Sequence, residues 1–362
     1  MIRTFKKYIE SSKIESIHRT LPNYHLKSID FSSNDYLGLS RDARVLESGI
    51  LAAKQYGSGA TGSRLLSGNS ELFENFEKQI AIDKKTESAL IFNSGYQANS
   101  GVIECLSDKD TLVIFDKLNH ASMYQGVFAS KAQLIRYHHL DYGHLNDILK
   151  ENSNRKIIIV SETVFGMDGD IADINVLSQL SEKFGALLYL DEAHATGLYG
   201  THGYGLSTMF NLNKEHTIIM GTLSKAIGSS GAYIACSNLI KDFLIQKCKS
   251  FIYSTAISPF CIGAAQKAWE LVKSLSETRK NILNNAEYLR SKLNALGDMT
   301  NIVPIIFKDT TEMLRKKEDL QNAGIIVSGI RHPTSPTPRI RIALNAKHSK
   351  QDIEKLIQEF NI

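Results

Sequence analysis

The chain has 362 residues, of which 43% are hydrophobic and 22% are charged, and this composition is typical of a globular protein with one large α/β domain and a smaller one. Its formal net charge of +4 is too small to indicate a nucleic-acid-binding protein, although a local basic patch could dock an acidic carrier protein. The N-terminal residues lack the features of a secretory signal and no stretch of about 18 apolar residues occurs, so we expect neither export nor a membrane span.

The N-terminal part predicts an arm. Apolar residues recur on one side of a helix over the first fifteen residues, and a short strand begins the stretch 29–39. The amide of Asn34 in this stretch could both donate and accept a hydrogen bond at a ligand, or simply form a turn. Residues 57–68 are rich in glycine without the GxGxxG spacing of a dinucleotide-binding loop, which disfavours a Rossmann oxidoreductase. They permit close approach of the backbone to a ligand, or form a flexible loop.

The next elements place a candidate anion site and a candidate ring contact after two strands. A helical pattern at 72–82 precedes a strand at 89–93, and the turn Ser94, Gly95, Tyr96 then opens a helix that continues to residue 106. Such a turn favours an anion, because free N–H groups and the helix dipole both point toward it. A strand at 111–115 precedes His120, whose imidazole could stack on an aromatic cofactor or cap the helix that follows.

Strands and helices continue to alternate up to residue 191, which predicts right-handed βαβ units and a mainly parallel sheet covered by helices. We place strands at 133–137, 156–162 and 186–191 and helices at 144–150 and 174–184. Glu162 and the acidic loop 168–170 follow a strand, so they fall on the side of the sheet where such proteins bind ligands. The four cysteines, none in CxxC spacing, predict reduced structural residues of a cytoplasmic protein.

Asp191 and Lys225 both follow buried strands, and together they suggest a cofactor. A carboxylate at Asp191 could keep a heteroaromatic nitrogen protonated, as the electron sink of pyridoxal phosphate requires. Lys225 lies in a turn with Thr222 and Ser224, whose hydroxyls suit a phosphate, and its amine could form a Schiff base. Taken singly, Lys225 could be a solvated loop residue, Asp191 a helix cap, and His194 a packed or capping histidine.

The C-terminal part predicts a compact α+β domain. After an additional strand at 231–235 the chain is largely helical from 262 to 296, a length that often connects two domains. The remaining pattern predicts a small domain whose strands lie at 302–307, 325–328 and 339–344, and whose helices lie at 312–323 and 350–360. Arg339 and Arg341 fall on one face of the last strand, where a guanidinium could bind a carboxylate or simply face solvent.

Together and in order, these motifs resemble the α-oxoamine synthases, pyridoxal-phosphate enzymes of the aspartate-aminotransferase fold type, over nearly the whole chain. The segments that carry the resemblance are FSSNDYLGLS (31–40), GSGATGSRLLSG (57–68), NSGYQAN (93–99), NHAS (119–122), ETVFGMDGD (162–170), DEAHATG (191–197), TLSKAIGSSG (222–231), IYSTAISP (252–259) and PTSPTPRIRIAL (333–344). The second and eighth of these look more like the oxononanoate-forming branch of biotin synthesis than the glycine-using branches.

The resemblance implies a fold and a domain division. The fold is the fold-type-I transferase architecture, with a large, mainly parallel-sheet domain and a small α+β C-terminal domain. We expect an N-terminal arm over residues 1–40, a large cofactor-binding domain over 41–270 and the small domain over 271–362. Members of this family are homodimers with active sites at the subunit interface, so a homodimer is expected.

The resemblance also implies roles for the cofactor-binding residues, with pyridoxal 5'-phosphate as the cofactor and no metal. Lys225 would form the Schiff base and move the α-proton, and Asp191 would keep the pyridine nitrogen protonated. His120 would stack on the ring, His194 would hydrogen-bond its phenolic oxygen, and Glu162 lies in the active-site loop. The phosphate would be bound by a further set of residues, the last of them from the partner subunit: Ser94, Gly95, Tyr96, Thr222, Ser224 and Thr255.

The implied reaction is a decarboxylative condensation of L-alanine with a pimeloyl thioester of coenzyme A or acyl carrier protein. Arg341 and Asn34 would bind the amino-acid carboxylate, and Thr334 would line the acyl side. The family's N-terminal substrate-binding arginine corresponds to either His18 or Arg19, and we take Arg19 as the candidate.

One residue departs from the family pattern, and two other functions remain open. Gly166 replaces a serine, so only the backbone or a water could supply the missing hydroxyl contact. A sister α-oxoamine synthase that uses glycine or makes an acyl-aminoketone would share the cofactor residues. A catalytically silent pyridoxal-phosphate protein would keep Lys225 and Asp191 but lack an organised carboxylate site, and Arg341 in a matching motif disfavours it.

Overall fold

The computed structural model describes residues 1–14, 18–19, 21 and 28–361. Its helices are α1 (Ile2–Ile14), α2 (Ala43–Tyr56), α3 (Glu71–Asp83), α4 (Gly95–Leu106), α5 (Ala121–Ser130), α6 (Tyr142–Glu151), α7 (Ile174–Phe184), α8 (Asn238–Lys247), α9 (Lys249–Ile252), α10 (Pro259–Val272), α11 (Ser276–Leu293), α12 (Thr310–Asn322) and α13 (Lys350–Asn361). Its strands are β1 (Ile29–Asp30), β2 (Ser88–Phe92), β3 (Thr111–Asp116), β4 (Gln133–Tyr137), β5 (Lys156–Glu162), β6 (Leu187–Asp191), β7 (Thr217–Thr222), β8 (Ala232–Cys236), β9 (Ile302–Ile306), β10 (Ile325–Ile326), β11 (Ser328–Ile330) and β12 (Arg339–Ala343).

The chain divides into two compact units. The larger unit contains Asp35–Phe165 and Ile171–Arg279, and the smaller unit contains Met1–Asn34, Gly166–Asp170 and Lys280–Ile362. The boundaries expected from the sequence lie at residues 40 and 270 instead, and the sequence did not assign the short segment Gly166–Asp170 to the C-terminal part.

The larger unit is built on a seven-stranded sheet in the order β2-β8-β7-β6-β5-β3-β4. Strands β4, β3, β5, β6 and β7 are mutually parallel, and β8 runs antiparallel to both β7 and β2. Phe92 of β2 and Thr222 of β7 both pair with Ala232 of β8, so β2 and β7 run in the same direction and end at the same level. The predicted mainly parallel sheet is therefore confirmed, and the carboxyl ends of all its strands except β8 share one edge.

Helices cover both faces of this sheet, because successive side chains of each strand point to opposite faces. Val113 and Phe115 of β3 belong to one apolar cluster, which also contains residues of α4, α5 and α8. Leu112 and Ile114 of the same strand belong to a second cluster, which contains residues of α6 and α7. The strands thus read as nearly continuous apolar runs, as parallel strands buried on both faces do.

The smaller unit contains a three-stranded antiparallel sheet in the order β11-β12-β9 and a two-stranded parallel sheet of β1 and β10. In β12, Arg341 pairs with Ser328 of β11 and with Pro304 of β9, so it lies in the central strand of its sheet. The helices of this unit include α12 and α13, which follow the predicted patterns.

Three features of the chain differ from the sequence prediction. The helix α2 was not predicted, and the helix expected over the first fifteen residues spans Ile2–Ile14, with residue 15 outside the described residues. The stretch 262–296 is largely helical as predicted, but it is divided into two helices, α10 and α11. Ser274 lies between them, and its hydroxyl donates to the Leu271 carbonyl at 2.7 Å, which competes with continuation of the helix.

Over the described ranges, no helix has both the length and the apolar character required to cross a bilayer.

Candidate active site

Most of the candidate residues lie in the larger unit, at the edge of the sheet where the carboxyl ends of its parallel strands meet. Glu162, Asp191 and Thr222 are the last residues of β5, β6 and β7, and Ser94 caps α4 just after β2. In open α/β sheets this edge is where ligands bind. Adjacent strands also hold neighbouring candidates in register, because Glu162 pairs directly with Asp191.

Asp191 is a buried carboxylate held by two N–H donors. Its Oδ1 accepts from the backbone N–H of Ala193 at 2.8 Å, and its Oδ2 accepts from the Asn99 amide at 2.8 Å. Tyr189 donates its hydroxyl to the Asn99 oxygen at 2.8 Å, which fixes the direction in which that amide points. Donors to both oxygens fix the position and orientation of this carboxylate at the strand end.

Lys225 lies in a short chain of hydrogen-bonded side chains that also contains His194 and Tyr36. The Lys225 Nζ is 2.7 Å from His194 Nε2, and His194 Nδ1 is 2.7 Å from the hydroxyl of Tyr36. His194 and Tyr36 are buried, whereas Lys225 is half-buried in the turn after β7. The amine is thus held against the imidazole of His194.

His120 is the N-cap of α5 and lies within the electrostatic reach of both groups. Its Nδ1 is 2.7 Å from the Ser122 hydroxyl and 3.3 Å from the Ser122 backbone nitrogen. Burial of the ring lowers the pKa of His120, Asp191 acts to raise this pKa, and Lys225 acts to lower it. The residue as a whole is exposed, and the lowered pKa favours the neutral imidazole.

Ser94, Gly95 and Thr222 form a small polar cradle at the start of α4. Ser94 caps the helix by accepting from the Gln97 N–H at 3.2 Å, and the first-turn N–H groups of Gly95 and Tyr96 have no acceptor within the helix. A Cβ built on Gly95 would lie 3.9 Å from the Thr222 hydroxyl oxygen, so this turn and the end of β7 are neighbours. Ser224 continues the cradle, with its hydroxyl 2.7 Å from that of Thr222.

Thr255 and Glu162 are the two remaining candidate cofactor-binding residues. The Thr255 carbonyl accepts from the Asn93 amide at 2.7 Å, and Thr255 forms an isolated bridge with Ser63 in the glycine-rich segment 57–68. That segment is therefore ordered against residues 252–259 rather than a free loop. Glu162 is buried, and its backbone N–H donates to the Asn119 side chain at 3.3 Å.

These groups match what pyridoxal phosphate requires of a protein. An amine, a buried anionic carboxylate and a helix N-terminus lie at one edge of one sheet, which suits the aldehyde, the pyridine nitrogen and the phosphate. The glycine at position 95 leaves the cradle open where a side chain would fill it. Among the residues that the structure describes, no group of three or more His, Cys, Asp or Glu side chains is arranged to hold a metal ion.

The smaller unit carries the residues expected to bind a substrate carboxylate. Arg341 is buried, its Nε donates to the Gly166 carbonyl, and its Nη2 donates to Asn34 Oδ1 at 3.1 Å. Arg339 is buried as well and pairs with Asp168. The alternative that both arginines face solvent is therefore wrong. Gly166, the departure from the family pattern, contributes its backbone carbonyl to Arg341.

Arg19 and Thr334 also meet within the smaller unit. The Arg19 Nη2 donates to the Thr334 hydroxyl at 3.3 Å, and the nearby Arg331 donates to the His18 carbonyl at 2.7 Å. The structure thus brings together the two residues assigned to the acyl side, and it places Arg19 rather than the His18 ring against Thr334.

Four residues of the larger unit support the candidate site but were not predicted from the sequence: Asn99, Tyr189, Ser122 and Tyr36. Two of them had a readable signal. Asn99 follows Gly95 by four residues on a helix, and Tyr189 precedes Asp191 by two residues on a strand, so each shares a face with a predicted site residue. Tyr36 had none, because it meets His194 from a turn 158 residues away.

Comparisons with known proteins agree with this geometry. A family model described as aminotransferase class I and II matches residues 27–360. A protein of Bacillus cereus (strain G9842), provisionally named 8-amino-7-oxononanoate synthase, is 44% identical over 337 residues, which cover 91% of this chain and 85% of that protein. The solved structure of SPT with pyridoxal phosphate bound as an internal aldimine has a TM-score of 0.92 and 25% identity, and it covers 99% of this chain and 97% of the other. An 8-amino-7-oxononanoate synthase structure from Francisella tularensis has a TM-score of 0.80 and 27% identity, and it covers 92% of this chain and 98% of the other.

Proposed function

Because the chain belongs to the class I and II aminotransferase family and, within it, to the pyridoxal-phosphate-dependent α-oxoamine synthases, we propose that it condenses L-alanine with a pimeloyl thioester. The reaction forms a carbon–carbon bond between the α-carbon of alanine and the thioester carbonyl, releases the thiol and loses the alanine carboxylate as carbon dioxide. The product is 8-amino-7-oxononanoate, a step of biotin synthesis. The Lys225 amine beside His194, at the strand edge that also carries Asp191, is the observation that supports the cofactor chemistry, and the similarity to 8-amino-7-oxononanoate synthases supports acyl transfer.

We assign Asp191 the task of holding a proton on the pyridine nitrogen. When bound, pyridoxal phosphate supplies an electron sink for the bond that breaks at the α-carbon, and it serves this purpose best with a protonated ring. The Asn99 and Ala193 donors support this role, because they hold both carboxylate oxygens of Asp191 in a fixed direction.

Lys225 would carry the cofactor and take the α-proton of alanine. His194, 2.7 Å from the Lys225 amine, would hydrogen-bond the phenolic oxygen and orient the amine. His120 would stack on the ring, since burial favours its neutral form. Each of these three side chains therefore binds or orients, and only Lys225 moves a proton.

Ser94, Gly95, Tyr96, Thr222 and Ser224 would hold the phosphate. Support comes from the capped N-terminus of α4, the neighbouring hydroxyls and the space above Gly95. We further propose that the protein is a homodimer and that Thr255, which is exposed in the single chain, reaches the phosphate of the partner subunit. Glu162, at the end of β5, would complete the cofactor site.

Arg341 and Asn34 would bind the alanine carboxylate, and Arg19 and Thr334 would contact the acyl substrate. Arg341 suits this role because its guanidinium is buried and donates to Asn34, the second residue of the proposed carboxylate site, whereas Arg339 pairs with Asp168. We place the reaction in the cytoplasm, since all four cysteines are free, as is typical of a reducing compartment.

Thiol release by the purified enzyme tests this proposal. Pimeloyl-coenzyme A is supplied with L-alanine and, in parallel, with glycine, and the Lys225→Ala variant serves as the inactive control. Alanine-dependent release, with 8-amino-7-oxononanoate identified by mass spectrometry, is the expected result. Release with glycine alone contradicts the alanine assignment. Absence of release with either amino acid directs the same assay to pimeloyl-[acyl carrier protein], and failure there as well refutes the pimeloyl substrate.

A further inference from the structure

A fully buried ion pair lies behind the strand edge that carries the candidate cofactor residues. Lys84 caps the C-terminal end of α3, Glu192 directly follows Asp191, and the side chains of both have no solvent exposure. Neither residue has a role in the chemistry proposed above. Burial lowers the pKa of Lys84 and the adjacent Glu192 charge opposes this shift, so the pair depends on its own mutual attraction.

Every polar atom of this pair is engaged. The Lys84 amine donates to Glu192, to the Tyr204 carbonyl at 2.7 Å and to the Ser207 hydroxyl at 3.0 Å. Glu192 accepts from the Ser207 backbone N–H at 2.7 Å and from its hydroxyl at 3.0 Å. The pair therefore ties together the end of α3, the end of β6 and the loop around Ser207.

The backbone at Gly205 packs closely against both side chains of the pair. Gly205 has a φ of +104°, which L side chains rarely adopt, and a Cβ there would lie 2.2 Å from a Glu192 oxygen and 2.7 Å from the Lys84 nitrogen. The loop can follow this path only because position 205 is glycine. A change in the size or charge of either partner must consequently move the loop or the end of β6.

Glu192 also closes the turn that contains His194. The Glu192 N–H donates to the Met220 carbonyl at 2.7 Å, and the Glu192 carbonyl accepts from Ala195 at 2.9 Å and from Thr196 at 2.8 Å. One residue further on, Gly197 has a φ of +94°, and a Cβ there would lie 2.4 Å from the Cβ of Ala226, the residue after Lys225. The turn is thus set against both β7 and the lysine loop.

We propose that Lys84 and Glu192 are positioning residues, which set the separation between His194 and Lys225 without touching the cofactor or the substrate. A buried ion pair adds little stability over an apolar pair of similar volume, so stability alone does not account for this pair. The atoms around Lys84 and Glu192 are also closely packed. A displacement of about 1 Å at a reacting group costs on the order of 100-fold in rate, so small shifts of this turn have large effects. The inference rests on the proposed attachment of the cofactor at Lys225, and its test reads the cofactor as well as turnover.

The double variant Lys84→Met/Glu192→Gln removes both charges and keeps both volumes. Compared with Lys84→Met alone, which leaves a buried carboxylate without its cation, the double variant should regain most of the thermal stability of the wild type. Its kcat should nevertheless stay about 10- to 100-fold low with the KM for alanine changed less than about 2-fold, and the pH at which the visible absorbance of the bound cofactor changes should shift.

Asp83→Asn is the matched control, because Asp83 is adjacent to Lys84 on α3 and accepts from the Trp269 ring nitrogen at 2.7 Å rather than from the pair. It should lower thermal stability and leave kcat and the spectral titration unchanged. Recovery of wild-type kcat and titration in the stable double variant would make the pair purely structural and overturn the proposal. An equal loss in Asp83→Asn would overturn it as well.

If the double variant fails to fold, Lys84→Gln/Glu192→Gln decides, because it also removes both charges and its two amides can replace hydrogen bonds of the pair, including the one from the Ser207 N–H. Wild-type kcat and titration in that variant refute the positioning role. The spectral titration needs no acyl substrate, so it remains readable even if the wild-type enzyme does not use pimeloyl thioesters, and the two proposals can fail separately.

Discussion

The two ends of the candidate cofactor site are built differently. The carboxylate region (Asp191, Asn99 and Tyr189) consists of side chains on β6 and α4, and none of them is more than 4% exposed. The amine region (Lys225, His194 and Tyr36) consists of side chains on turns, and its lysine is half-buried. Both regions are chains of short hydrogen bonds, but only the first is anchored in regular secondary structure.

This difference matches the tasks that we propose for the two regions. A carboxylate that only keeps a ring nitrogen protonated gains from a fixed position, because preorganised charge needs no rearrangement during the reaction. An amine that holds the cofactor, releases it and then moves a proton must change position. Turns permit that movement where a strand would not. The predictions below test this contrast, beginning with the largest expected effect.

Lys225→Ala should remove the visible absorbance that depends on the lysine and should reduce turnover by about 10⁴-fold, the upper range for loss of an acid–base group. Absorbance spectroscopy of the purified variant and the thiol-release assay measure the two effects. Lys214→Ala, an exposed lysine that precedes β7, is the control and should behave as the wild type. An unchanged spectrum in Lys225→Ala would show that another lysine carries the cofactor.

Asp191→Asn should keep the cofactor bound but slow exchange of the alanine α-proton about 100- to 1,000-fold, because the neutral amide no longer stabilises a protonated ring. Proton exchange in deuterated water, followed by NMR, measures this step without an acyl substrate. Exchange within about 2-fold of the wild-type rate would contradict the electron-sink role of this carboxylate.

Asn99→Ala should reduce turnover about 10- to 100-fold, since a hydrogen bond to a charged group is worth about 1.5–3 kcal/mol. Ser122→Ala is the matched control: Ser122 accepts from the same Asn99 nitrogen, at 3.0 Å, but does not contact Asp191. A Ser122→Ala effect as large as that of Asn99→Ala would mean that the network as a whole, rather than the donor to Asp191, sets the rate.

Tyr36→Phe should reduce turnover by only about 2- to 10-fold, because it removes a neutral hydrogen bond, worth about 0.5–1.5 kcal/mol, from a region that is free to adjust. The bond concerned joins the Tyr36 hydroxyl to His194 Nδ1 at 2.7 Å. Steady-state kinetics with alanine varied would separate kcat from KM. A loss equal to that in Asn99→Ala would erase the proposed contrast between the two regions.

The position of Asp191 in the carboxylate region was predictable from the sequence, whereas its partners Asn99 and Tyr189 were not predicted. Alternating strands and helices predicted the parallel sheet, and parallel strands end at one edge, which placed Asp191, Thr222 and the Ser94 turn together. Helical and strand periodicity would also have pointed to Asn99 and Tyr189. What the pattern could not provide was the pairing of the Asn99 amide with Asp191, since that depends on how far apart α4 and β6 pack.

The amine region and the buried pair were less predictable, because their contacts join turns that are distant in sequence. Tyr36 and His194 have no common periodicity, and Lys84 meets Glu192 across 108 residues. The glycine at position 205 is related to the contact between Lys84 and Glu192. Glycine occurs in turns for many reasons, however, so this residue does not predict the contact. Positions on turns depend on the packing of the whole loop, so local pattern rules do not determine them.

His120 offers the smallest and most direct test, since the charges of both regions act on its imidazole. Burial lowers the pKa of His120 below its ordinary value of 6.5, Asp191 raises it and Lys225 lowers it. In the protein without cofactor, Lys225→Ala should therefore raise the pKa of His120 and Asp191→Asn should lower it further, as measured by NMR titration of the ring protons. Because the folded pKa lies below the unfolded one, the stability that neutral His120 contributes is complete above pH 6.5 and is lost as the pH falls through the folded pKa. Shifts of equal sign in the two variants would mean that changes in burial, rather than the two opposite charges, control this histidine.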